Sequence, residues 1–325
     1  MNVIQDDVAA RLPPVLAMNN RRYPDTSTNR PRAIKSSFIA QGVACAATLH
    51  VPEEAGDGPL PAILMVGGWG SVQQALTSSF VNRFVEAGFA VMEFDYPTWG
   101  HSAGWPRQDI KPWVRVKVAD TALAHLKSRP QVDADKIVLW GTSFGGGHVV
   151  DIAAQHPELR GAIIQVPMLD GLATVRAVPV PRLIKFITLG LLDLLKPGAR
   201  IHVPTLAPPG AFGSMDRDQA WNALEIALKA LGDKKYDNRV TARSLLTMAS
   251  YRPWTRLKHI KVPMLIVGAT RDTVAPFVAD KVKRVAHAQL QVIELDADHF
   301  DPYFDPVFPQ MMAHQLRFLQ TVLPR

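Results

Sequence analysis

The sequence contains a single cysteine, and this scarcity limits the sites that it can build. Cys45 alone excludes an internal disulfide and any multi-cysteine metal site. No apolar stretch is long enough to cross a bilayer, because the best candidate, residues 183–195, is short and interrupted by Lys185 and Asp193. The first residues also lack the basic and apolar regions of a signal peptide. We therefore expect a cytoplasmic protein with no membrane span.

Nucleotide-binding and metal-binding motifs are also absent. The sequence has no Gly-x-Gly-x-x-Gly motif, no phosphate-loop lysine motif, and no spacing of histidines and carboxylates suited to a metal ion. The sequence therefore predicts chemistry without a cofactor and without a metal.

The formal net charge of +7 raises the question of a nucleic-acid partner. Residues 170–259 hold fourteen Lys/Arg and seven Asp/Glu, so this one segment carries the whole excess. Its cations are dispersed, without the dense basic runs or interleaved aromatic residues of a nucleic-acid-binding face, so we expect no such partner. A solvated surface is the simpler interpretation. The alternative is a surface that receives an anionic substrate carrier, such as coenzyme A or an acyl carrier protein.

Short apolar runs alternate with segments of helix length along most of the chain. The predicted helices include one over about residues 72–87 and, further along the chain, one over about residues 240–250. This alternation, preceded by a β-hairpin, predicts an α/β protein with a mostly parallel sheet and helices on both faces. The alternation stops after residue 169, and helical, proline-rich segments intervene before a buried strand returns near residue 262. We therefore predict an N-terminal arm (1–32), an α/β core (33–169 and 260–325) and a helical lid insertion (170–259).

The pentapeptide Gly141-Thr142-Ser143-Phe144-Gly145 joins a predicted strand to a predicted helix. Such a turn exposes its serine at the edge of the sheet. A serine hydroxyl needs a base to react, and that base needs an orienting group. Asp272 and His299 each follow a later predicted strand, which brings both to the same edge. His299 is therefore predicted to take the proton of Ser143, with Asp272 orienting the imidazole. Asp170, also just after a strand, is the rival for this role.

Acyl transfer also needs donors for the oxyanion that develops on the substrate. The backbone N–H of Phe144, directly after the serine, is one candidate. The second is the N–H of Trp69 in the glycine-rich run 67–70, although those glycines could simply turn the chain. Further residues in loops around this edge are predicted to contact the substrate: Gly68, Trp99, His101 and Asp170.

The sequence resembles the α/β-hydrolase superfamily from about residue 33 to residue 322. Five motifs carry the resemblance: Trp140 to His148, Gly100 to Gly104, Asp272 to Pro276, Asp298 to Phe300, and Gln165 to Gly171. They look most like the branch near dienelactone hydrolases and the hydrolases that release or transfer polyketides. This resemblance implies an α/β-hydrolase fold and an acyl-enzyme mechanism on an ester or thioester, with the lid shaping the acyl pocket.

Three functions stay open on the sequence. The first is a serine hydrolase that cleaves a carboxylic ester or thioester through an acyl-enzyme on Ser143. The second is an acyltransferase that uses the same three residues, and the third is a non-catalytic ligand-binding protein on a hydrolase scaffold. The helix predicted at 181–196 is interpreted as part of the lid, with a homodimer contact or a membrane-surface helix as alternatives.

Overall fold

The computed structural model describes residues 31–54, 58–196, 200–231 and 236–324. The predicted N-terminal arm lies outside the described residues, except for its last two. Within these ranges, no helix has the length and apolar character needed to cross a membrane.

An eight-stranded sheet forms the centre of the fold. The described ranges contain ten strands: β1 (Arg32–Ala40), β2 (Val43–Val51), β3 (Leu60–Val66), β4 (Ala90–Phe94), β5 (Val132–Thr142), β6 (Gly161–Gln165), β7 (His202–Pro204), β8 (Arg239–Thr241), β9 (Met264–Ala269) and β10 (Leu290–Leu295). The large sheet has the order β1-β2-β4-β3-β5-β6-β9-β10, and β7 and β8 pair separately. β2 is antiparallel to β1 and β4, and the other neighbours in the large sheet are parallel.

Helices cover both faces of this sheet. They are α1 (Ser78–Glu86), α2 (Pro112–Lys127), α3 (Phe144–Ala153), α4 (Gly171–Arg176), α5 (Val180–Leu195), α6 (Asp218–Ala230), α7 (Ala279–Arg284) and α8 (Val307–Val322). α2 and α3 pack into one core cluster, and α1 and α8 pack into the other. Every residue of β4, β6 and β9 is buried, as expected for strands covered on both sides. The predicted mostly parallel α/β fold is confirmed.

Two predicted helices differ from the structure. A helix was expected from residue 72, but α1 begins at Ser78, because the backbone N–H groups of Gln73 and Gln74 donate to the carboxylates of Asp95 and Glu93. These contacts hold residues 73–74 in a loop. The helix predicted at 240–250 is present over 242–250, directly after β8, but it is a 3₁₀ helix and not an α-helix. There the backbone N–H of Arg243 donates to the carboxylate of Asp193 on α5.

Residues 170–259 form an inserted segment that adds no described strand to the large sheet. It contains α4, α5, α6, the β7–β8 pair and two 3₁₀ helices, over 242–250 and 253–259. α5 packs against the first 3₁₀ helix, and Phe186 is buried there while Val180, Ile184 and Leu195 stay exposed. A homodimer contact on this exposed apolar side stays a prediction.

Candidate active site

Ser143 lies on a tight turn between β5 and α3. Its backbone has a φ of 54° and a ψ of −124°, which is a rare conformation for a residue with a side chain. A Cβ on Gly145 would collide with the carbonyl oxygen of Val66, and one on Gly141 would lie 2.6 Å from Cγ2 of Val149. The two glycines of the pentapeptide are therefore required by the close approach of the turn to its neighbours.

Ser143, His299 and Asp272, which were predicted to act together, are linked by hydrogen bonds in the structure. Nε2 of His299 lies 2.9 Å from Oγ of Ser143, and Nδ1 lies 2.6 Å from Oδ2 of Asp272. Asp272 follows β9 and His299 follows β10, and both side chains are buried. The backbone N–H groups of Val274 and Ala275 donate to the other oxygen, Oδ1 of Asp272. This arrangement can move a proton from the serine to the imidazole.

Two backbone N–H groups next to Ser143 are free to bind an anionic oxygen. The N–H groups of Trp69 and Phe144 donate to no acceptor in the described part of the chain. Phe144 is the first residue of α3, where backbone N–H groups lack helical partners. Gly68 packs against the serine, since a Cβ placed on it would lie 3.1 Å from Cβ of Ser143. A side chain at residue 68 would therefore crowd the nucleophile.

Ser143 opens into an apolar cavity of about 260 Å³. The inserted segment supplies most of its wall, including Val178, Leu183, Phe186, Leu245, Met248 and Ala249. One part of the wall is charged, because Arg182 forms an ion pair with Asp216, which also binds Arg217 at 2.8 Å.

A second and smaller cavity, of about 60 Å³, also borders the serine. It is lined by His299 together with Gly68, Leu76, Leu206, Phe300 and Tyr303. His299 does not line the larger cavity, whereas Trp69, Ser143 and Met215 line both. The serine therefore borders a large apolar space and a small space that is next to the imidazole.

The family described as serine aminopeptidase, S33, matches residues 58–295, which include Ser143 and Asp272. The chain belongs to this family of α/β hydrolases. The match covers most of the chain and ends just before His299. The predicted membership of the α/β-hydrolase superfamily is confirmed.

Individual relatives of this S33-family hydrolase extend the comparison. The quorum-quenching protein AidA of Acinetobacter baumannii is 32% identical over 301 residues, which cover 91% of this chain and 97% of AidA. A thiohydrolase of Eupenicillium brefeldianum is 29% identical over 234 residues, covering 68% of this chain and 72% of that protein. The crystal structure of the α/β hydrolase GrgF from Penicillium sp. sh18 has a TM-score of 0.73, covers 90% of this chain and 100% of GrgF at 21% identity, and shows the same fold.

Two residues predicted to contact the substrate in this S33-family hydrolase lie elsewhere. Trp99 is buried, its Nε1 donates to the carbonyl oxygen of Asp109 at 3.0 Å, and it lines neither cavity at the serine. His101 is exposed and also lines neither cavity, while its backbone N–H donates to Asp95 at 2.9 Å. Hydrogen bonds to Asp95 and Asp109 therefore hold this loop in a conformation in which neither side chain lines a cavity at the serine.

Asp170, the rival carboxylate, has a different set of partners. Its Oδ1 accepts from the backbone N–H of Leu172 and from Nε of Arg252, each at 3.1 Å, and Lys281 forms an ion pair with Oδ2. Burial opposes ionisation, but the hydrogen bonds from Lys281 and Arg252 hold the pKa of Asp170 below its usual range. Asp170 lines neither cavity at the serine, so the predicted substrate contact is not present.

His148, one turn after the serine, is a packing residue. It is fully buried, and its Nδ1 lies 3.1 Å from the hydroxyl of Tyr96. Burial, and secondarily the charge of Arg115, lowers the pKa of His148 well below its usual range. The imidazole is therefore neutral near pH 7.

Two side chains that the sequence analysis did not identify hold the glycine-rich run 67–70. Nη1 of Arg115 donates to the carbonyl oxygen of Gly68 at 3.1 Å, and the hydroxyl of Tyr236 donates to that of Gly70 at 2.7 Å. For Arg115 a signal was available, because its position on α2 is in helical register with the buried apolar residues Val118, Ala119 and Ala122. For Tyr236 no signal in the sequence was found.

Proposed function

We propose that this protein is a serine hydrolase that cleaves a carboxylic ester or thioester through an acyl-enzyme on Ser143. The observation that carries the proposal is the hydrogen-bonded chain from Oγ of Ser143 to His299 and on to Asp272. A serine becomes an effective nucleophile when a base accepts its proton and a third group fixes that base. Membership of a hydrolase family supports the same reaction class.

The reaction proceeds in two halves. In the first, Oγ of Ser143 attacks the acyl carbonyl carbon while His299 takes the hydroxyl proton, and the resulting oxyanion accepts from the N–H groups of Trp69 and Phe144. The imidazolium then gives its proton to the departing alkoxide or thiolate, which leaves as an alcohol or thiol. In the second, His299 takes a proton from water, and the hydroxide formed attacks the acyl-enzyme. The acid is released, and Ser143 regains its proton.

The two cavities support a proposal for where the two halves of the substrate bind. The group that departs must lie near His299, because the imidazolium delivers the proton to it. His299 lines the cavity of about 60 Å³, so this smaller space receives the leaving group and then the attacking water. The acyl chain occupies the apolar cavity of about 260 Å³. The proposed substrate therefore has an apolar acyl group and a leaving group that is narrow where it meets the serine.

Several arginines of the inserted segment already have anionic partners within the same segment, although these pairs leave its net excess of positive charge unchanged. Arg182 and Arg217 pair with Asp216, Arg239 pairs with Asp237, and Arg243 pairs with Asp193. These pairs favour the interpretation as an ordinary surface. Presentation of the acyl group on coenzyme A or an acyl carrier protein remains a proposal.

A cytoplasmic location is also a proposal. Its support is the single cysteine, Cys45, which is buried and unpaired.

A substrate panel tests the proposal. Esters, thioesters and lactones of graded acyl length are assayed with the wild-type protein, and Ser143→Ala serves as the blank. We expect hydrolysis that depends on Ser143, and full activity in Ser143→Ala would overturn the mechanism. Each acyl group is also offered as its coenzyme A thioester and as its N-acetylcysteamine thioester. A preference for the former supports an anionic carrier, and equal kcat/KM for both removes that part of the proposal.

Two further measurements separate the alternatives. Products are analysed in the presence of alcohols and amines, because formation of a new ester or amide in place of the free acid would indicate an acyltransferase. A fluorophosphonate probe is expected to label Ser143. Failure to label the folded protein would instead indicate a ligand-binding protein on a hydrolase scaffold.

A further inference from the structure

The peptide unit between Gly68 and Trp69 links a buried cation to the oxyanion site. Its N–H belongs to Trp69 and is one of the two proposed oxyanion donors, while its C=O belongs to Gly68. In a trans peptide these two groups point in opposite directions. Nη1 of Arg115 lies 3.1 Å from the Gly68 oxygen, which also accepts from the N–H of Ser71 at 3.3 Å. An interaction that fixes the direction of the Gly68 carbonyl therefore also fixes the direction of the Trp69 N–H.

Arg115 is enclosed in the core of the protein. It is 3% exposed, and its guanidinium carbon lies 4.2 Å from the ring centroid of Tyr96 and 5.3 Å from that of Trp99. Burial lowers the pKa of Arg115 to about 10, with the charges of Tyr96 and Asp109 opposing the shift, so the guanidinium is still protonated at pH 7. The aromatic faces stabilise the cation without neutralising it.

No carboxylate in the described part of the chain forms an ion pair with Arg115. Its Nε and Nη2 have no hydrogen-bond partner there, and Nη1 binds only the backbone oxygen. Asp109, whose charge acts on Arg115, instead lies 3.5 Å from Lys111 and accepts from Thr241. A buried charge without a partner is unfavourable for folding, and an apolar side chain would fill the same space with a smaller penalty in folding free energy. This positive charge is therefore available to act on the oxyanion site.

We propose that Arg115 is a positioning residue of the oxyanion site. Its hydrogen bond to Gly68 fixes the direction of the Trp69 N–H and polarises the peptide, which makes that N–H a stronger donor. The unneutralised guanidinium also favours the negative charge that develops on the substrate oxygen. Both effects act on the tetrahedral intermediate more than on the neutral ester, so Arg115 contributes to kcat more than to KM. The inference rests on the proposed function, because it requires an oxyanion at Trp69.

Two substitutions at residue 115 and one control test the inference. Arg115→Met keeps the length of the side chain but removes the charge and the donor, whereas Arg115→Lys keeps a charge and loses the planar guanidinium. Arg243→Met is the matched control, because Arg243 is a largely buried arginine that binds Asp193 and lines neither cavity at the serine. For each variant, kcat and KM are measured on the best ester of the panel, together with thermal unfolding. The affinity for an n-alkylboronic acid, which forms a tetrahedral anion on the serine, is also measured.

We expect Arg115→Met to lower kcat by about 100-fold, as for loss of one oxyanion donor, with KM changed less than about threefold. The affinity of Arg115→Met for the boronic acid should fall together with its kcat. In Arg115→Lys, both kcat and this affinity should lie between those of Arg115→Met and the wild type. Arg243→Met should lower stability without changing kcat or boronic acid affinity. Unchanged kcat in Arg115→Met, or a loss confined to KM or to stability, would overturn the inference. If Arg115→Met does not fold, Arg115→Gln, which also removes the charge, takes its place and is judged by the same criteria against Arg115→Lys.

The wild-type protein and Ser143→Ala, assayed in parallel, separate two kinds of failure. If hydrolysis by the wild type depends on Ser143 while Arg115→Met behaves like the wild type, the inference alone is wrong. If the wild type shows no hydrolysis that depends on Ser143, the proposed function fails and the inference fails with it.

Discussion

Oδ2 of Asp272 lies 2.6 Å from Nδ1 of His299, while Oδ1 accepts the backbone N–H groups of Val274 and Ala275. The two backbone donors prevent the carboxylate from rotating, so Oδ2 always faces the imidazole. Nδ1 must then carry the proton, which leaves the lone pair of Nε2 directed at Ser143, 2.9 Å away. The loop after β9 thus determines which nitrogen of His299 acts as the base.

Asp272→Asn should therefore lower kcat by roughly 10³- to 10⁴-fold without unfolding the protein. The amide nitrogen of asparagine would donate to Nδ1 and stabilise the wrong tautomer of His299. The measurement is kcat on the best ester of the panel, with circular dichroism to verify folding. Asp170→Asn is the matched control, since Asp170 also follows a strand but lies away from the serine, and we expect its kcat to stay within about threefold of wild type. Equal losses in both variants would contradict the assignment of Asp272.

Asp170 should affect stability, and its effect should depend on pH. The pKa of Asp170 is lowered in the folded protein, so its contribution is present above the unfolded value near 3.9 and is lost as pH falls through the folded value. Asp170→Asn should lower the free energy of unfolding by about 2 kcal/mol at pH 6. The difference from wild type should shrink between about pH 4 and pH 3. Urea unfolding at both ends of this range measures it, and a difference independent of pH would count against the ion pairs with Arg252 and Lys281.

Local patterns in the sequence predicted the sheet and the three polar residues at its edge. The buried strands are built on short, mostly apolar runs, and the turn at Ser143 needs glycines that are visible in the sequence, so both could be predicted from local sequence. The positions of Asp272 and His299 followed because the carboxyl ends of parallel strands meet at one edge of the sheet. The match to a family of α/β hydrolases agrees with the fold that these patterns predict.

Features that depend on tertiary contacts were predicted poorly. Trp99 and His101 were expected at the substrate, but Trp99 binds the carbonyl oxygen of Asp109, the backbone of His101 binds Asp95, and neither side chain lines a cavity at the serine. Arg115 was missed because its partner, the Gly68 carbonyl, lies 47 positions earlier in the chain. The larger cavity could not be predicted, since it arises where α4, α5 and the 3₁₀ helix over 242–250 meet the core.

The two cavities should respond separately to substitutions that fill them. Ala249 lines only the larger cavity and Leu76 only the smaller one. Ala249→Phe should shift the acyl preference toward shorter chains, lowering kcat/KM for long chains by about tenfold or more. Leu76→Phe should leave the acyl profile unchanged and reduce kcat/KM for bulky leaving groups. The measurement is kcat/KM over a grid of acyl chains and leaving groups. A change of acyl profile in Leu76→Phe would reverse the assignment of the cavities.

Gly145 provides a test in which local and tertiary effects have opposite signs. It lies in the first turn of α3, where helix propensity alone predicts that Gly145→Ala stabilises the protein by up to about 1 kcal/mol. A Cβ at this position would instead collide with the carbonyl oxygen of Val66 and lie 2.6 Å from that of Gly67, two backbone atoms that cannot move aside easily. We therefore expect destabilisation of more than about 4 kcal/mol and loss of activity, because the turn at Ser143 must shift.

Gly42→Ala is the control for backbone conformation without a collision. Gly42 has a φ of +73° in the turn between β1 and β2, and a Cβ there would meet no atom within 4 Å. Only the strain of the left-handed conformation applies, about 1–2 kcal/mol, and kcat should not change. Urea unfolding and kcat of both variants give the comparison. If Gly145→Ala destabilised the protein no more than Gly42→Ala does, the close contact with β3 would not explain why residue 145 is glycine. The geometry of the helix alone would then have to position the nucleophile.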